Sequence, residues 1–87
     1  LNRHPRKVEL TARRARDLAR TLVAWEEVLA VRVGSVQGVE EQLSVETRDV
    51  GGFYRRLTEL AAGERFGLTA MRSADASLEA VFDYLVA

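Results

Sequence analysis

LAVRVGSVQGVEEQLSVETR, residues Leu29–Arg48, holds two alternating segments on either side of a turn, and how they pair decides the fold class. Leu29, Val31 and Val33 alternate with Ala30 and Arg32, which predicts a strand with one apolar face, stopping at the turn signal GSVQG, Gly34–Gly38. Gln42–Arg48 alternates in the same way, with Leu43, Val45 and Thr47 inward and Gln42, Ser44, Glu46 and Arg48 outward. A connection this short joins antiparallel neighbours, because parallel strands need a crossover of a dozen residues or more. The stretch is therefore expected to be a β-hairpin.

Working outward, the period changes on both sides. Upstream, Lys7–Thr11 alternates, with Val8 and Leu10 on one face and Lys7, Glu9 and Thr11 on the other. From about Ala12 the spacing becomes helical, with Ala15, Leu18, Ala19, Leu22 and Trp25 on one stripe, ending before Val28. Downstream, Asp49 suits an N-cap, and Phe53, Leu57, Leu60 and Ala61 form a second helical stripe that Gly63 ends. Leu68–Ser73 reads as a fourth strand, with either Leu68 and Ala70 or Thr69 and Met71 toward the core. Ser77 can cap a last helix, Glu79 places negative charge near its positive end, and Leu78, Val81, Phe82 and Leu85 share one side.

The order is βαββαβ followed by a helix, which predicts an α+β, ferredoxin-like domain with a four-stranded antiparallel sheet plus a C-terminal helix. Residues 1–6 read as a linker, since Pro5 favours an extended His4 and neither Asn2 nor Arg3 suits a core. Residues 7–87 then form a single domain. VELT followed by ARDLARTL recurs loosely as VETR followed by FYRRLTEL, a faint pseudo-symmetry of two strand–helix units. Right-handed crossovers put both helices on one sheet face. The opposite face is exposed unless the last helix or a second molecule covers it, so function or dimerisation is expected there or on the terminal stripe.

Composition bounds the chemistry. At 87 residues the chain is one domain at most, and 47% hydrophobic with 30% charged residues places it among ordinary globular chains. No apolar run approaches the roughly 20 residues a bilayer needs, and LNRHPRK does not read as the start of a signal peptide. With no Cys there is neither disulfide nor thiolate metal site, which fits a reducing compartment. The net charge is zero but uneven: residues 1–20 hold seven Lys/Arg and two acids, the remainder six and eleven, so the two parts are +5 and −5. Arg13, Arg14, Arg16 and Arg20 lie on the first helix, where a solvated face is the plainer reading than a polyanion site.

No constellation reads as catalytic. The one His, His4, lies in the linker, and Glu26–Glu27 and Glu40–Glu41 are sequence neighbours that do not face each other. GSVQG has no Lys and joins strand to strand, unlike a phosphate loop. Gly51 and Gly52 precede a helix and can offer N–H groups to an anion, although glycines that merely let the chain enter the helix are commoner. The strands carry no aromatic residue apart from Phe66 at the start of the fourth, and Trp25 and Tyr54 lie on or beside helices, so the base-stacking platform of sheet-type RNA binders is missing. No catalytic, cofactor-binding or metal-ligating residue is expected in this stretch, and no nucleic-acid partner. The alternative is a dimeric regulatory domain sensing a small ligand such as an amino acid, with its site built from turns and helix starts.

ASLEAVFDYLVA, Ala76–Ala87, closely resembles the ending of the C-terminal accessory domain in ABC transporter ATP-binding subunits of the drug-exporter, daunorubicin-resistance class. That ending is close to PSLEDVF followed by an apolar helix: Ser77, Leu78, Glu79, Val81 and Phe82 match, while Ala76 stands for the Pro and Ala80 for the second acid. The resemblance extends more generally over Val8–Met71, where the family has the same strand and helix order. It implies a noncatalytic piece of a longer bacterial subunit, with ATP and Mg²⁺ bound by a nucleotide-binding domain upstream. It also implies regulatory contacts with that domain, a partner ATPase subunit or the membrane permease, and a cytoplasmic place at the inner face of the membrane; self-association into a homodimer, through the sheet face or the C-terminal helix, is a separate expectation. Leu78, Glu79, Val81, Phe82 and Leu85 are the candidate interface or core motif.

Overall fold

The hairpin closes on two residues. In the computed structural model, which describes residues 5–63 and 66–73, the chain runs β1 (Arg6–Ala12), α1 (Ala15–Val23), β2 (Val28–Val36), β3 (Val39–Thr47), α2 (Val50–Ala61) and β4 (Leu68–Ser73). Val36 pairs with Val39, leaving Gln37 and Gly38 as the whole turn, with φ of 54° and 82°. Two positive φ values mark a type I′ turn, whose twist matches that of the strands it joins. The expected stop at Gly34 is corrected: Gly34 and Ser35 still pair, with Gln42 and Glu40. The turn chemistry of GSVQG sits wholly in its last two residues.

The four strands form one antiparallel sheet in the order β2-β3-β1-β4. Val8 stands opposite Val45 and Leu10 opposite Leu43, so these side chains share a face, and all four are buried. Ala15, Leu18 and Leu22 of α1 and Phe53 and Leu57 of α2 complete the same core, which places both helices on that face. Ala12 extends the inner row of β1 and is fully buried, so the helix starts at Ala15, later than its spacing suggested. Arg6 is already in the strand, shortening the expected linker; residues 1–4 lie outside the described residues.

Bulges correct two facing assignments. Val28 pairs with Thr47 and Ala30 with Glu46, so Leu29 is an extra residue. One extra residue reverses the facing of what precedes it. Val28 turns inward while Leu29 turns out and is 45% exposed, although alternation placed Leu29 with Val31 and Val33. In β4, Thr11 pairs with Ala70 and Ala12 with Leu68, so Thr69 is the extra residue. Leu68 and Met71 therefore share the helix side, a combination that neither regular alternation of this strand allows. The α+β class and the four-stranded antiparallel sheet are as expected; the helix expected over Ser77–Ala87, with Leu78, Glu79, Val81, Phe82 and Leu85, lies outside the described residues.

Two substitutions test this arrangement. Phe53→Ala removes a fully buried ring from beneath both helices and should cost about 3–5 kcal/mol in urea unfolding. Gln37→Asn should stabilise the chain by about 1 kcal/mol, because Asn accepts the left-handed conformation that Gln37 adopts at φ 54°. A lower midpoint for the second variant would contradict the type I′ turn.

Candidate functional site

A groove opens where α2 ends and β4 begins. Arg13 donates its backbone N–H to the Gly67 carbonyl at 3.1 Å, and Arg14 donates to the Phe66 carbonyl at 3.0 Å, which fastens this stretch to the junction of β1 and α1. Gly67 has φ 63°, and a Cβ there would lie 3.0 Å from the Cβ of Arg13, so both conformation and space call for glycine. Phe66 is thereby set at the rim. The cavity holds about 430 Å³, with Leu18 and Leu57 as its floor and Leu60, Ala61, Phe66 and Leu68 among its walls. Among the described residues, Arg13 is the one charged side chain lining it. Such a surface can take an apolar body beside a cation; among the described residues that line it there is no His, Cys, Asp or Glu.

At the other end of the helices, Trp25 is held from two directions. Its ring meets Phe53 edge-on at 5.7 Å between centroids, and the Arg56 guanidinium lies 4.5 Å above it. Arg56 donates to Glu27 at 2.8 Å, and the Glu27 carbonyl accepts from the Thr47 hydroxyl at 2.8 Å and from the Arg48 N–H at 2.9 Å. The hydroxyl bond satisfies the one buried polar side chain among the described residues. Trp25 and Glu27 thus join the α1–β2 connection to α2. This cluster pins loops together and presents no reactive group.

Several other charges pair across the surface. Asp17 takes Arg14 at 3.4 Å and Arg20 at 3.6 Å, and Arg16 reaches Glu40 at 3.1 Å. Exposed pairs of this kind add little stability, but each acid lowers the local cationic field that a polyanion would need. On the sheet face away from the helices, Arg72 bonds Glu9 at 2.9 Å and Lys7 lies 4.0 Å from Glu46. Thr11, Gln42 and Ser44 share that face, to judge from the pairing. This face, expected to be exposed unless something covers it, carries these ion pairs beside the outward-turned Leu29.

Asp49 caps α2 as its position predicted, accepting from the Gly52 N–H at 3.0 Å. A Cβ at Gly52 would collide with the Asp49 carboxylate, so this glycine serves the cap. The N–H that an anion would require is occupied. No group of three or more His, Cys, Asp or Glu residues comes together among the described residues, and no helix among them is long and apolar enough to cross a membrane. The motif residues Leu78, Glu79, Val81, Phe82 and Leu85 lie outside the described residues, so the structure brings none of them to the groove or away from it.

The groove itself was only half visible in the sequence. Leu57, Leu60 and Ala61 stand out as a helical stripe, but Arg13, Gly67 and Leu68 are joined to it only by backbone bonds between distant segments. Comparison with family models, with curated proteins and with solved structures found no match to this chain. For the aromatic cluster, Arg56→Ala should cost about 1 kcal/mol, from the loss of the cation–π contact and the ion pair together. The emission of Trp25, the single tryptophan, should shift at the same time; unchanged emission would mean that the guanidinium does not lie on the ring.

Proposed function

We propose that this chain is a noncatalytic regulatory and interaction module of a bacterial ABC transporter ATP-binding subunit, built as a ferredoxin-like domain with a C-terminal helix. One observation carries the reading. The ASLEAVF motif begins at Ala76, three residues after β4 ends at Ser73, and so follows a βαββαβ order at the point where that class of subunit carries its own version. The chemistry of the described surface is compatible with it, since several charged side chains pair with one another and the concave surface sets leucine and phenylalanine side chains beside Arg13 and Thr69. In this reading ATP and Mg²⁺ belong to an upstream domain. The module acts through contacts with that domain, with a partner ATPase subunit or with the permease, at the cytoplasmic face of the membrane, and pairs with a second copy when concentrated.

The test is calorimetric. Titrating the chain with Mg-ATP should give no saturable heat, and micromolar binding would overturn the proposal. Sedimentation of the same sample should show reversible association at high micromolar concentration; a monomer throughout would remove self-association from the reading while leaving the accessory role.

A further inference from the structure

Arg13 differs from its neighbours in having no acid to face. Arg14 and Arg20 lie against Asp17 and Arg16 against Glu40, whereas Arg13 meets no carboxylate among the described residues. Its side chain is nevertheless placed. The Cβ, Cγ and Cδ of Arg13 lie 3.0, 3.2 and 3.3 Å from where a Cβ on Gly67 would stand, so its stem runs across the glycine. The residue is exposed and lines the groove, which sets a cation at the groove's open rim.

Most of the groove has the opposite character. Leu18 and Leu57 at its floor are buried, while Leu60, Phe66 and Leu68 are only partly buried, so an occupant would take apolar surface out of water. Thr69, the extra residue of the β4 bulge, adds a polar side chain, but its hydroxyl already donates to the Thr11 carbonyl at 3.3 Å. The Arg13 backbone N–H is used as well, by the Gly67 carbonyl. Among the described side chains that line the groove, the Arg13 guanidinium is the donor left for a ligand. At about 430 Å³ the space lies within the roughly 300–1,000 Å³ of small-molecule sites.

We propose that the groove binds a small amphipathic carboxylate, with its apolar body on Leu57, Leu60, Phe66 and Leu68 and its carboxylate on the Arg13 guanidinium. A guanidinium matches a carboxylate with paired, charge-assisted hydrogen bonds. No acid among the described lining residues competes for it. At the exposed rim the ion pair keeps part of its hydration and escapes the full cost of burying two charges. A neutral apolar ligand would leave the cation unused, and an anion without an apolar body would leave the leucines in water. The site lies within one chain, and it stands or falls independently of the transporter reading.

Octanoate, far below its micelle concentration, is the probe. Titrated into the whole chain and followed by NMR, it should bind saturably, with a Kd of about 1 mM or lower, and move the resonances of Leu60, Phe66 and Leu68. Octanol, the same body without the charge, and acetate, the charge without the body, should each bind about tenfold more weakly or worse. Octanol binding as tightly as octanoate would overturn the proposal. No saturable binding of octanoate, as when another part of the chain fills the groove, would overturn it too. Arg13→Gln keeps an exposed polar side chain and should weaken octanoate about tenfold, to the level of octanol. Ala61→Phe narrows the groove from its α2 wall and should weaken both ligands. Octanoate affinity unchanged by either variant, in protein whose Trp25 emission matches the parent, would place binding elsewhere and sink the site.

Discussion

The inner row of β1 is the constraint on which the structure depends. Val8, Leu10 and Ala12 are at most 1% exposed, lie between β3 and β4, and face the buried residues of both helices. A strand in this position must be satisfied along both edges as well as on one face, so it fixes the neighbours around it. β3 must match it in register to bring Leu43 and Val45 into line, and each helix must return across the face to reach its next strand. On β4, the last strand to arrive, Met71 faces the helix side and is still 44% exposed.

How much of this was legible follows from where alternation held. β1 and β3 alternate cleanly because they pair with each other in a continuous stretch: Arg6–Thr11 against Gln42–Thr47 has no interruption. Leu29 and Thr69 misled, or left open, the assignment of facing because each is the extra residue of a bulge. A bulge depends on the partner strand, so residues on one strand cannot announce it. The turn was legible in kind and not in place, since both Gly34 and Gly38 are plausible breakers and only the partner residues separate them. The Asp49 cap was fully readable, because donor and acceptor are three residues apart.

The candidate site divides along the same line between local and distant determinants. The α2 side of the groove appears in the sequence as a helical stripe. Its other side depends on two backbone bonds from Arg13 and Arg14 to Gly67 and Phe66, across more than fifty positions of chain. Nothing in the spacing of either segment announces that meeting. Ion pairs such as Arg72 with Glu9 and Arg16 with Glu40 are equally invisible, and they offset part of the charge on the sheet face and on the basic helix.

All three irregularities of the ladder involve an edge strand: the extra residues are Leu29 in β2, Glu41 opposite β2 and Thr69 in β4. An open sheet edge is a template for unwanted strand addition, and irregular, twisted edges resist it. The same bulges that displaced Leu29 and Thr69 from regular alternation thus break up both outer rims into short runs. For a chain that places Leu29 on an outer strand at 45% exposure, this irregularity works against edge-to-edge stacking into aggregates. The cost is a sheet whose pattern is harder to read; the return is a pair of outer strands on which added strands find no long regular ladder.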